Sequence, residues 1–182
     1  MKSIILISVF VLTTISTLWA DKEAPQYVYV RSSYGGQYYF KMIPEADYDR
    51  TKGRGALYLV TKKRLDKVLW KVKGWYAFQT YISYDGRYLI RIGNWPRGRI
   101  PSHKHLGIAF YDKGTLIKKY STKDLVKNLP PVRASVSHYR FLEKVLGFES
   151  AYSHRFKIKT ADKMEYTFDV THGKIVSQKK VK

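Results

Sequence analysis

The sequence predicts a mainly β, single-domain antiparallel meander with one or two short helices. It could close as a partial propeller-like curved sheet or as a small barrel or sandwich. Three observations carry this. Tyr81–Ile92 reads as strand, turn, strand around Asp85-Gly86. Leu106–Ile117 does the same around Asp112-Lys113-Gly114. Asp66–Lys73 alternates, with Val68, Trp70 and Val72 on one face and Lys67, Leu69, Lys71 and Lys73 on the other. Such alternation marks a strand with one buried face.

The two hairpins form the centre of the chain. Asp-Gly favours a tight turn because Gly accepts positive φ without a Cβ clash and Asp tolerates it well. After that turn, Tyr88, Ile90 and Ile92 recur at every second position. The second hairpin is expected to use a three-residue loop, Asp112-Lys113-Gly114, with Gly in the left-handed conformation.

On the N-terminal side, Gln26–Arg31 has strand composition. Tyr27 and Tyr29 share one face, and Val28 and Val30 share the other, which is the expected inner one. Ser32–Gly36 is a turn, and Gln37–Ile43 is the next strand, stopped by Pro44. Glu45–Gly53 is a polar loop. It begins like a calcium loop but has Arg50 and Ala56 where the sixth and twelfth positions need Gly and Glu. Ala56–Thr61 is a short strand, and Lys62-Lys63-Arg64 is a basic turn.

On the C-terminal side, Ser121 and Asp124 have the spacing of a helix cap, and Pro130-Pro131 end that helix after about Asn128. Phe141, Leu142, Val145 and Leu146 share a helical face, which predicts a second helix over Ser137–Leu146 with Gly147 as its stop. Arg155–Thr160, Glu165–Val170 and Lys174–Val181 complete a three-stranded meander. Its inner residues are Phe156, Ile158, Tyr166, Phe168 and Val170.

Ser83-Tyr84-Asp85-Gly86-Arg87-Tyr88-Leu89 resembles the blade hairpins of bacterial secreted β-propeller repeat proteins, which carry Ser-x-Asp-Gly before an aromatic and aliphatic pair. Phe168–Ile175 is similar to their Asp-x-Thr-Gly-Lys hairpin, with His172 intruding before Gly173. The resemblance covers about a third of the chain. It implies a blade-like meander. The turn glycines Gly36, Gly86, Gly114 and Gly173 are unevenly spaced, so a complete propeller is not expected.

Residues 1–20 have the order of a secretory signal peptide. Lys2 is followed by the apolar run Ile4–Leu12, and Ala20 stands before the expected cut. The remainder, 21–182, is then one secreted or periplasmic domain of a bacterial envelope. The chain contains no cysteine, so the exported domain must rest on its core alone.

The formal net charge is +20, which points to an anionic partner: envelope polysaccharide, lipid headgroups or an envelope protein, with nucleic acid less favoured. Two features nominate binding residues. The irregular loop Gly93–His105 carries Trp95, Arg97, Arg99, His103 and His105. Lys71, Lys73 and Arg91 stand opposite apolar positions on their strands. With Lys67, Lys157 and Lys159, several of these could line one basic sheet face.

No catalytic residue, metal site or cofactor is predicted. The chain lacks a nucleophile motif, and His103-x-His105 gives two imidazoles where a zinc site needs three or four ligands. The reading is a non-enzymatic binding or accessory protein for an anionic envelope polymer or a protein partner. The alternative is a secreted hydrolase that attacks polysaccharide through loop carboxylates.

Overall fold

The structure is a computed structural model that describes residues 24–47, 49–128, 130 and 137–181. The expected signal peptide, 1–20, lies outside the described residues, as does Pro131.

The strands form three four-stranded antiparallel sheets, each a meander in chain order. The first holds β1 (Tyr29–Ser32), β2 (Tyr38–Pro44), β3 (Gly53–Leu59) and β4 (Lys67–Lys73). The second holds β5 (Thr80–Ile82), β6 (Tyr88–Ile92), β7 (Leu106–Asp112) and β8 (Thr115–Ser121). The third holds β9 (Leu142–Phe148), β10 (Arg155–Thr160), β11 (Met164–Asp169) and β12 (Lys174–Lys180). Among the described residues one short α-helix, α1 (Thr122–Leu125), directly follows β8. The β expectation therefore holds, but as three separate sheets rather than one curved one. No closed barrel forms among the described residues.

Strands β6 and β7 of the middle sheet are buried on both faces, while β8 is mostly exposed. Ile90, Ile92, Ile108 and Phe110 pack with Phe156, Ile158 and Phe168 of the third sheet. Leu89, Ala109 and Tyr111 pack with Phe40, Met42, Leu57 and Val72 of the first. This explains why β6 and β7 are nearly continuous apolar runs. Each fully buried Leu, Ile or Phe contributes about 1.5–3 kcal/mol. The two cores thus hold three sheets face to face, as neighbouring blades pack in a propeller.

Five local expectations are corrected. Ser137–Leu146 is not a helix; β9 takes its second half. Leu142, Val145 and Phe148 pair with Thr160, Ile158 and Phe156 of β10, and the register shifts twice on the way. Each bulge adds one residue to a period of two, so the paired positions recur every third residue and imitate a helical stripe.

The valine face of the first strand is the outer one. Val28 and Val30 are both 54% exposed, while Tyr29 pairs with buried Met42 and donates its hydroxyl hydrogen bond to Ala77 O. Val68 also leaves the core. A bulge at Leu69 aligns Trp70 with Leu57 but Val68 with Tyr58, which turns Val68 outward. Phe156, Phe168 and the indole face of Trp70 stay inward.

The second hairpin turns through two residues. Asp112 pairs with Thr115, and both Lys113 (φ 45) and Gly114 (φ 84) are left-handed, as a type I′ turn requires. Finally, α1 keeps its expected cap: Ser121 Oγ accepts from Asp124 N at 3.1 Å, and Asp124 Oδ2 accepts from Ser121 N at 2.8 Å. It ends at Leu125, earlier than expected, because Val126 is extended and buried beside Leu125 in the core.

Candidate anion-binding site

The β2–β3 loop, the β4–β5 link, the β6–β7 loop and α1 lie at one end of the stack. The β6–β7 loop leaves β6 through Gly93, whose N–H donates to Gly107 O at 2.8 Å. A Cβ there would lie 1.8 Å from Leu106 O, so only glycine allows this approach. Asn94 then fixes the loop to the β4–β5 link. Its Nδ2 donates to Tyr76 O at 2.9 Å and its Oδ1 accepts from Phe78 N at 3.2 Å.

Further along, Arg50 Nη1 donates to Trp95 O at 2.7 Å. This bond ties the loop of the first sheet to that of the second. Arg97 pairs with His138 in an isolated bridge, and the Trp95 and His138 rings meet edge to face at 6.0 Å. His105 Nδ1 lies 2.9 Å from the Tyr139 hydroxyl, and His103 Nδ1 lies 3.4 Å from Asp124 Oδ1. The loop that composition marks as irregular is therefore held at many points.

Arg91 is the centre of this end. It points from β6 toward the first sheet, with its guanidinium over the Trp75 ring at 4.4 Å. Burial pulls its pKa below the usual arginine value, and Tyr111 and Tyr29 work against that shift. No described carboxylate pairs with it, and its Nε has no hydrogen-bond partner among the described residues. A half-buried cation without a carboxylate retains its desolvation cost until an anion arrives.

Two clefts meet at Arg91. One, of about 680 Å³, is lined by Arg91, Arg50, Trp95, Arg97, Lys104 and His105, and also by Asp47 and Asp49. The Asp49 carboxyl is held below its usual pKa chiefly by the Thr51 hydroxyl, and Lys52 Nζ stands 3.3 Å from it. The other cleft, of about 370 Å³, adds His103, Lys119 and Tyr120 to Arg91, Lys104 and His105. A forked guanidinium stacked on an indole, with further cations around it, suits bidentate capture of carboxylate, phosphate or sulfate.

Five of the eight nominated residues thus gather here: Arg91, Trp95, Arg97 and His105 in the first cleft, and His103 in the second. Arg99 is exposed in the same loop and lines neither. Lys71 and Lys73 lie elsewhere, on the outer face of the first sheet, beside Lys41, Ala56 and Tyr58 in a groove of about 850 Å³. Lys157 and Lys159 are on the outer face of the third sheet, 2.8 Å from Glu149 and 3.1 Å from Glu143. The strand cations therefore occupy three surfaces instead of one.

Sequence reasoning missed Arg50 and Trp75. Arg50 looked like part of a solvated loop, and only the packing of two sheets brings it to Trp95. No three His, Asp or Glu side chains gather as a metal cluster among the described residues. No described helix is long and apolar enough to cross a membrane.

No family model matches the chain, and no curated protein does either. Among solved structures, it is similar to Sqt1 from Chaetomium thermophilum (13% identity, TM-score 0.44, 85% of this chain and 34% of that one). It is also similar to U3-55K (12% identity, TM-score 0.40, 84% of this chain and 38% of that one). For Sqt1 from Saccharomyces cerevisiae the values are 9% identity, TM-score 0.34, and 85% and 52% coverage. The chain spans between about a third and a half of the length of these structures.

Proposed function

We propose that the chain is an exported, non-enzymatic binding module that holds an anionic envelope polymer in the cleft around Arg91. The observation that carries this is the Arg91 guanidinium, stacked on Trp75 without a described carboxylate partner, in a chain of net charge +20. The leader-like residues 1–20 favour an envelope polysaccharide as the polymer. The long-range field of so basic a chain draws the polymer in, and the cleft fixes one acidic group of it.

A secreted hydrolase is the weaker reading. Asp47 and Asp49 do share the Arg91 cleft, but Asp49 is held in its charged form, whereas a general acid needs a raised pKa.

The test is elution in rising salt from an anionic glycan matrix. Arg91→Gln and the rim variant Arg97→Gln/Lys104→Gln are expected to elute at clearly lower salt than the unaltered protein. Lys157→Gln/Lys179→Gln, which removes two charges from the third sheet, should elute later than the rim variant. Equal elution of the two double variants would mean that net charge alone governs retention.

A further inference from the structure

We infer that the end of the stack opposite Arg91 is a second site, which takes an acidic saccharide. It goes beyond the anion-cleft reading and does not depend on it. One connection from each sheet contributes an aromatic ring here. Tyr34 sits in the β1–β2 turn, Tyr84 in the β5–β6 loop and Tyr152 in the β9–β10 loop. Their rings form a row, with centroids 5.7 Å apart for Tyr34 and Tyr152 and 5.4 Å for Tyr84 and Tyr152. His154 continues it, stacked on Tyr84 at 5.3 Å and anchored 3.3 Å from Asp85 Oδ2.

Two features separate this row from ordinary packing. Tyr34 is 62% exposed and Tyr152 is 71% exposed, so neither ring serves the core. Turn chemistry does not call for tyrosine at these places either; it calls for Gly, Asn, Asp, Ser or Pro. The row borders a cleft of about 420 Å³ lined by Tyr34, Tyr84, Ser32, Ser150 and Arg31. The Arg31 guanidinium lies over the Tyr81 ring at 5.7 Å, and no described carboxylate pairs with it.

This set of groups matches the chemistry of a uronic-acid sugar. The polarised C–H face of a pyranose ring is attracted to the negative face of an aromatic ring. Serine hydroxyls exchange hydrogen bonds with sugar hydroxyls. A guanidinium forks onto the ring carboxylate. Single-stranded nucleic acid would also stack on the rings, but it needs a series of cations tracking its backbone, and among the described residues Arg31 is the one cation lining this cleft.

The experiment is an amide NMR titration with hyaluronate hexasaccharide, uncharged maltohexaose and a thymidine oligonucleotide. Hyaluronate is expected to shift the amides of residues 31–34 and 150–154. The exposed-ring variant Tyr34→Ala/Tyr152→Ala, with its thermal melt unchanged, should bind about tenfold more weakly. Arg31→Gln should lose the preference for hyaluronate over maltohexaose, and Arg91→Gln should leave these shifts in place. Shifts confined to the Arg91 cleft, no shifts with either saccharide, or tighter binding of the oligonucleotide at these amides would each overturn the proposal.

Discussion

Leu89 and Ile90 are neighbours on β6 whose side chains enter different cores, so replacing either with alanine should be equally damaging. Both are 0% exposed. Leu89 belongs to the core shared with the first sheet, and Ile90 to the core shared with the third. Each truncation removes buried apolar surface and leaves a cavity, at a combined cost of about 2–5 kcal/mol. A sheet with one wet face would instead lose this much at Ile90 and less than about 0.5 kcal/mol at Leu89. Leu116 on β8, 47% exposed, supplies the control: Leu116→Ala should stay within about 0.5 kcal/mol. Urea unfolding followed by circular dichroism measures all three, provided the slope with denaturant is unchanged. A cost at Leu89 no larger than the cost at Leu116 would refute the two-sided burial of the middle sheet.

Two further predictions concern turns. Arg87 donates Nε and Nη2 to the two oxygens of Asp112 at 2.9 and 2.8 Å, and this pairing holds the Asp112 carboxyl below its usual pKa. A depressed native pKa contributes stability above the unfolded value, and that contribution is lost as pH falls through the native one. Urea melts from about pH 6 down to about pH 2 should therefore show the gap between the unaltered protein and Arg87→Gln closing at the acid end; a constant gap would contradict this. Lys113→Asn should stabilise the chain by about 0.5–1 kcal/mol in the same assay, because asparagine tolerates the left-handed φ of 45° that lysine adopts here.

The hairpins were readable because turn residues and alternation are local properties. Asp85-Gly86 and Gly114 mark the places of their turns without help from the rest of the chain, although pairing of Asp112 with Thr115 makes the second loop one residue shorter than expected. What could not be read depends on how sheets meet. The alternation of Tyr88, Ile90 and Ile92 marks one inward face of β6, and only the first sheet shows that Leu89 between them is buried as well. Val28 and Val30 look like core residues until Tyr29 is seen reaching across to Ala77. The bulges of β9 turned an alternating strand into an apparent helix, and the bulge at Leu69 sent Val68 to the opposite face.

The functional end followed the same division. The β6–β7 loop stood out by composition, and Trp95, Arg97 and His105 do converge there. Arg50 comes from a loop 45 residues away in sequence from its partner Trp95, and nothing in its own segment announces that contact. The tyrosine row is the opposite case. Tyr34, Tyr84 and Tyr152 each stand among turn residues, a placement visible in the sequence but meaningful only once three connections share one end.

The most direct test of the anion cleft is the indole N–H resonance of Trp75 during titration with an acidic glycan, since the Arg91 guanidinium lies 4.4 Å from that ring. An anion seated on Arg91 moves the resonance in the unaltered protein and leaves it in place in Arg91→Gln. Equal movement in both, or binding with no movement in either, would place the bound anion away from Arg91 and contradict the assignment.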